Sequence, residues 1–168
     1  KKRLLSGGIL LLIIIALTIL FAPFITVYYV TRGPVVYQNE VTEKFPLQGV
    51  YEAADFDLEE KMIPIRTDDG YSLWASEIEV QNPKAVIIYL TGIRQPSITY
   101  FYAHAKWMKE ESYASVLLEV RGHGQSQGDG VGLGYTEVSD VQAVVDYLLQ
   151  DENYQDVPII VQGVSMGG

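Results

Sequence analysis

Val157-Pro158-Ile159-Ile160-Val161-Gln162-Gly163-Val164-Ser165-Met166-Gly167-Gly168 is the stretch from which the rest of the chain is best read. Val157 to Val161 is a short run of mostly β-branched side chains, the pattern of a strand buried on both faces. Gly163 to Gly167 fits G-x-S-x-G, in which a strand turns so sharply into a helix that a serine hydroxyl is held out at the turn. A Cβ at either glycine would collide with strand or helix, and the serine must hold a strained backbone. So short a pattern often arises by chance, and its surroundings must carry it.

Those surroundings are regular. Ala85 to Leu90 is a first continuous apolar run. Pro96-Ser97 then opens a helix in which Ile98, Phe101, Tyr102, Ala105 and Met108 form the apolar stripe, while Lys106 and Glu110 stay in solvent. Val116 to Leu118 returns as strand. After a glycine-rich loop, Arg121 to Gly134, the residues Val141, Val144, Val145, Leu148 and Leu149 repeat with helical spacing. Buried strands alternating with helices predict an α/β fold with a mostly parallel sheet flanked by helices. Ser165 falls at the carboxyl end of the last strand, where such sheets place their ligands. Ahead of this series, Met62 to Arg66 and Ser72 to Val80 read as a hairpin turning at Asp68-Asp69-Gly70.

As a nucleophile, Ser165 needs a base, an acid to orient that base, and donors for the oxyanion. The backbone N–H of Met166, which follows the serine, is one candidate donor. The other is the N–H of Ile93 in Thr91-Gly92-Ile93-Arg94, the loop after the first buried strand. The plainer alternatives are an ordinary strand-to-helix turn at Thr91-Gly92 and a tight turn without catalysis at Ser165.

Glu119-Val120-Arg121-Gly122-His123-Gly124-Gln125-Ser126 adds a second motif. With the G-x-S-x-G turn it resembles the α/β-hydrolase family, whose members carry D-x-R-G-H-G-x-S after the second parallel strand. The resemblance spans about Met62 to Gly168 and points to the membrane-anchored esterase, lysophospholipase and serine-aminopeptidase-like branches. It departs from them at Thr91, where the family usually has His, and at Glu119, where it has Asp. It implies a serine hydrolase that cleaves carboxylic ester, thioester or amide bonds of a small-molecule acyl substrate (ester, lipid or peptide) through an acyl-serine. It also implies a structural role for the Arg-Gly-His-Gly loop, so that His123 is not the base. The family's triad runs Ser, then acid, then His, whereas every acid and both histidines here precede Ser165. The chain therefore reads as the N-terminal half of the fold, without the triad acid and His and inactive alone. The rival reading is a noncatalytic, membrane-tethered binding or scaffold protein that keeps the elbow.

No side chain from Leu4 to Thr31 is charged, and Ile9 to Phe21 is almost wholly Leu, Ile and Ala, enough with its apolar flanks for a membrane-crossing helix. A signal peptide would have a shorter apolar core ending in small residues, so an uncleaved anchor is expected. Pro23 is a candidate kink, and Tyr28 and Tyr29 suit the lipid interface. Lys1, Lys2 and Arg3 precede the apolar run and predict a cytoplasmic N-terminus with the rest of the chain outside. The expected layout is thus a transmembrane anchor at 1–31, a juxtamembrane linker at 32–60 and a truncated hydrolase domain at 61–168. The first residue is Lys, so the start is read as trimmed.

Those three cations are among twelve, so nine face twenty-one acids beyond the anchor, which argues against nucleic acid as a partner. The lipid bilayer is the expected partner of the N-terminal helix. Without cysteine there are no disulfides or thiolate sites, and His104 and His123 lack HxxxH or HExxH spacing. The loop glycines fit neither G-x-G-x-x-G nor a P-loop, and read as a mobile loop at the site mouth. No cofactor or metal is expected. His104 reads as a helix-surface residue, and Tyr100, Phe101, Tyr102 and Trp107 as packing residues before acyl-pocket ones.

Overall fold

A computed structural model describes residues 2–32, 51–93, 95 and 97–168, with side chains from Gly7 onward. The chain divides into two compact units, Lys1–Gly33 and Pro34–Gly168. Most of the stretch read as linker, 33–50, lies outside the described residues. So do Lys1, the side chains of Lys2 and Arg3, Arg94 of the candidate oxyanion turn, and Pro96 of the expected helix start.

The first unit is one helix, α1 (Lys2–Arg32), of which Gly7–Arg32 is long and apolar enough to cross a membrane. Its 26 residues rise about 39 Å, against a hydrocarbon core of about 30 Å. The helix continues through Pro23, whose ring nitrogen has no proton to donate. Thr18 Oγ1 donates to the Ile14 carbonyl and Thr31 Oγ1 to that of Val27, both at 2.9 Å, so these hydroxyls are satisfied within the helix. The apolar side chains are exposed all round, Leu12 at 67% and Ile19 at 70%.

The second unit is a mixed sheet with helices on both faces. Its strands are β1 (Lys61–Met62), β2 (Ile65–Arg66), β3 (Ser72–Leu73), β4 (Ala75–Ile78), β5 (Val86–Leu90), β6 (Ala114–Leu118) and β7 (Ile159–Gly163). Five of them form one sheet in the order β1-β4-β6-β5-β7, antiparallel at β1/β4 and β4/β6 and parallel at β6/β5 and β5/β7. The expected hairpin is present but interrupted. β2 pairs with β3 in a separate two-stranded sheet, with Gly70 at φ +95° in the turn, and Pro64 separates β1 from β2.

Alternation along β5 explains its unbroken apolar run. Val86, Ile88 and Leu90 point to one face with Val116, Leu118, Val144 and Leu148, and Ile87 and Tyr89 to the other with Leu117, Ile98 and Phe101. The second face is covered by α2 (Tyr102–Glu110) and the 3-10 turn Ile98–Phe101 that leads into it. The first is covered by α3 (Glu137–Gln150). Residues 51–60 also pack on the sheet, burying Ala53 and Leu58 in the cluster around α2.

Lys106 keeps its ammonium group in solvent as expected, with Nζ 3.0 Å from the exposed Asp57 Oδ2. Two expectations change. Leu149 leaves the α3 stripe and is 52% exposed. The last strand is not buried: Ile160 and Val161 are 42% and 50% exposed. Among the described residues β7 edges the sheet, pairing with β5 alone, five residues before the sequence ends.

Candidate active site

Parallel pairing of β5 and β7 puts Leu90 opposite Gly163, so the loops leaving both strands start side by side. β5 leads through α2 to β6 on one side, and β6 leads through α3 back across to β7 on the other. The carboxyl end of β5 is therefore the point where the strand order reverses, the usual location of a ligand crevice in open α/β sheets.

The elbow is tightly built. Ser165 has φ +57°, a left-handed conformation rare for a residue with a side chain, and begins the 3-10 turn Ser165–Gly167. Val164 N donates to the Leu90 carbonyl at 3.2 Å and Gly167 N to that of Val164 at 3.0 Å. A Cβ on Gly163 would lie 1.7 Å from the Gly167 carbonyl oxygen, and one on Gly167 would lie 2.7 Å from that of Thr91. The Ser165 side chain is exposed, while Met166 packs against the core on the α3 face.

Opposite stands the turn from Thr91 to Ile93. A Cβ on Gly92 would come within 3.1 Å of Ser165 Cβ and 3.6 Å of its Oγ, so backbone passes directly beside the serine. The structure thus brings Ser165, Met166 and the turn holding Ile93 together. The turn has its own ties: Gly92 N donates to Gln95 Oε1 at 3.1 Å, and the Tyr100 hydroxyl donates to the same oxygen at 2.8 Å. Burial pushes the Tyr100 hydroxyl up to about 12. Ser97 accepts from Thr99 N at 3.2 Å and donates to Glu119 Oε1 at 2.9 Å, linking this loop to the end of β6.

The glycine-rich loop is anchored along its length. Buried Glu119 also accepts from Gln125 N at 2.5 Å. Ser126 Oγ accepts from Trp74 N at 2.7 Å, and Gln127 N donates to the Ser72 carbonyl at 3.0 Å. Arg121 is buried over the Tyr71 ring and holds two carboxylates. Its NH1 lies 2.6 Å from Asp69 Oδ2 and its NH2 2.7 Å from Asp140 Oδ1, while its backbone N donates to Asp140 Oδ2 at 2.8 Å. The bond from Arg121 is the main cause holding Asp69 down at about 2. At the loop's far end the Glu137 carboxylate accepts from Gly132 N at 2.6 Å and Gly134 N at 2.9 Å, joining it to α3. The expectation of a mobile loop gives way to a bonded brace.

His123 is buried within that brace, Nδ1 3.3 Å from the Arg121 carbonyl oxygen. His104 is exposed on α2, its ring edge-on to Phe101. Of the aromatics weighed for an acyl pocket, Phe101 and Tyr102 lie in the core, Tyr100 is half-buried and Trp107 is 62% exposed. A cavity of about 320 Å³ lies behind the elbow, lined by Leu90, Val120, Val141, Val145 and Met166. Sequence reasoning missed Gln95 and Ser97 as the residues that tie down the turn. Ser97 had a signal as a helix N-cap, and Gln95 had none, because its partner depends on how the loop folds back.

The comparisons with known proteins agree with this fold. Search of curated proteins finds no match. Among solved structures, the esterase Pf2001 of Pyrococcus furiosus is similar at 28% identity with a TM-score of 0.62, over 71% of this chain and 46% of that one. In a second crystal form the TM-score is 0.60, with 47% of that chain covered. The α/β hydrolase GrgF from Penicillium sp. sh18 shares the fold at 19% identity and a TM-score of 0.58, over 64% of this chain and 38% of that one. The chain thus spans just under half the length of the esterase it matches. The model of the family described as serine aminopeptidase, S33, matches residues 81–168. That match covers more than half of the chain, including β5 to β7 and the elbow, and the chain belongs to this family of α/β-hydrolases.

Proposed function

We propose that the full-length protein is a membrane-tethered serine hydrolase with Ser165 as its nucleophile. The observation that carries this reading is Ser165 at φ +57° on a strand-to-turn corner, with the backbone of Gly92 packed beside it. A left-handed serine is strained by about 1–3 kcal/mol and persists where the surrounding structure enforces it, and such residues cluster at active sites.

In this reading Ser165 Oγ attacks the acyl carbonyl carbon, passing its proton to a histidine. The resulting oxyanion is met by the N–H groups of Met166 and Ile93. Collapse expels the leaving group, which takes the proton from that histidine, and water then hydrolyses the acyl-serine by the same steps. The histidine and its acid follow the serine in the chain order of this fold, so the reading needs both from outside these 168 residues. The substrate class is a carboxylic ester, thioester or amide. Likeness to the Pyrococcus esterase favours esters, and the family's aminopeptidase description keeps amides in the class. The layout is an anchor at 1–31, a linker at 32–60 whose last ten residues pack on the sheet, and the hydrolase part from 61. The N-terminus is cytoplasmic and the domain extracytoplasmic, supported by three cations ahead of the apolar helix.

A fluorophosphonate probe tests the chemistry. The full-length protein should label and its Ser165→Ala variant should not, while residues 1–168 alone should remain unlabelled. Labelling that survives Ser165→Ala would sink the assignment.

A further inference from the structure

Donors for an oxyanion accelerate a reaction only when the backbone carrying them is fixed before charge develops. The Met166 N–H belongs to the elbow, locked by Gly163, Gly167 and the Val164-to-Leu90 bond. Among the described residues no strand or helix frames the Ile93 N–H, because β5 ends at Leu90 and the next helical turn begins at Ile98. A side chain closes that gap. Gln95 Oε1 accepts from Gly92 N at 3.1 Å, and the Gln95 backbone N donates to the Gly92 carbonyl at 3.4 Å, so residue 95 grips residue 92 at both of its backbone polar groups. The same Oε1 accepts from the Tyr100 hydroxyl at 2.8 Å, and Tyr100 sits in a 3-10 turn whose Ile98 and Phe101 are buried in the core. The carboxamide therefore transmits the rigidity of the core to Gly92, whose backbone packs beside Ser165.

We propose that Gln95 is a positioning residue for the oxyanion site: through Gly92 it holds the Ile93 N–H aimed at the reacting carbonyl. This rests on the serine-hydrolase reading above. An amide suits the task, since it offers an acceptor to two donors without adding negative charge beside a developing oxyanion.

The test uses the full-length protein with p-nitrophenyl butyrate as substrate, fluorophosphonate labelling, and hydrogen exchange at the Gly92 amide. Loosening a donor should cost less than the hundredfold or more lost when one is removed, so Gln95→Leu is expected to lower kcat and the labelling rate about tenfold, with KM changed less than about twofold. Exchange at Gly92 should quicken. Gln95→Glu keeps the acceptor and should retain slow exchange at Gly92, and Tyr100→Phe, which removes one of the two side-chain bonds, should fall between wild type and Gln95→Leu. Wild-type kcat in Gln95→Leu overturns the proposal, as does a loss confined to KM or one that merely tracks a falling Tm in all three variants. The two readings fail separately. Labelling that survives Ser165→Ala removes the serine assignment and this proposal with it, whereas an inert Ser165→Ala beside a fully active Gln95→Leu removes only the role of Gln95.

Discussion

At Ser165 the backbone conformation and the steric demands of two glycines are one fact seen from two sides. φ +57° swings the chain back so far that the Gly167 carbonyl fills the space a side chain at 163 would need. Gly163→Ala must therefore move backbone, because a contact of 1.7 Å cannot be relieved by a rotamer. Its cost should reach or pass the ~3 kcal/mol upper end of overpacking and exceed that of Gly167→Ala, whose Cβ meets its neighbours at 2.7 Å. Chemical denaturation of both variants checks the order, and equal costs would contradict the steric account. Thr91 carries the same lesson in reverse. Its carbonyl meets the elbow at Gly167, a backbone contact that threonine supplies where the family has histidine.

Among the elements, the loop after β6 carries the clearest consequence. Arg121 joins the hairpin turn, through Asp69, to the first turns of α3, through Asp140. Asp69 is held near 2 in the folded protein, below its ordinary 3.8, so its contribution to stability is present above about pH 4 and is lost as pH falls toward 2. Thermal unfolding across that window should show a fall in Tm that Asp69→Asn reduces, and an unchanged pH slope in that variant would remove the linkage. Much of this scale was legible beforehand. β5 announced itself because both of its faces are covered, and the stripe Ile98, Phe101, Tyr102 and Ala105, which runs from the 3-10 turn into α2, is buried as its spacing requires. The exposure of β7 and of Leu149 was not legible, since composition records what a strand or helix can bury and not what its neighbours supply. The grip of Gln95 on Gly92 was hidden for a related reason: a loop contact between residues three apart has no periodicity to betray it.

For the molecule as a whole, topology is the property most open to a direct test. Protease added to intact cells should cut beyond Arg32 if the hydrolase domain lies outside, and a fully protected domain would reverse the orientation argued from Lys1, Lys2 and Arg3. β7 has a further consequence in handling. One edge of its backbone is paired with β5, the other carries no strand among the described residues, and Ile160 and Val161 stand exposed beside it. An open, β-branched edge is a template for adding a strand from another molecule. Preparations of residues 1–168 without the apolar helix should still self-associate through this edge at high concentration, and lysine at 160 or 161 is the change that would keep them in solution.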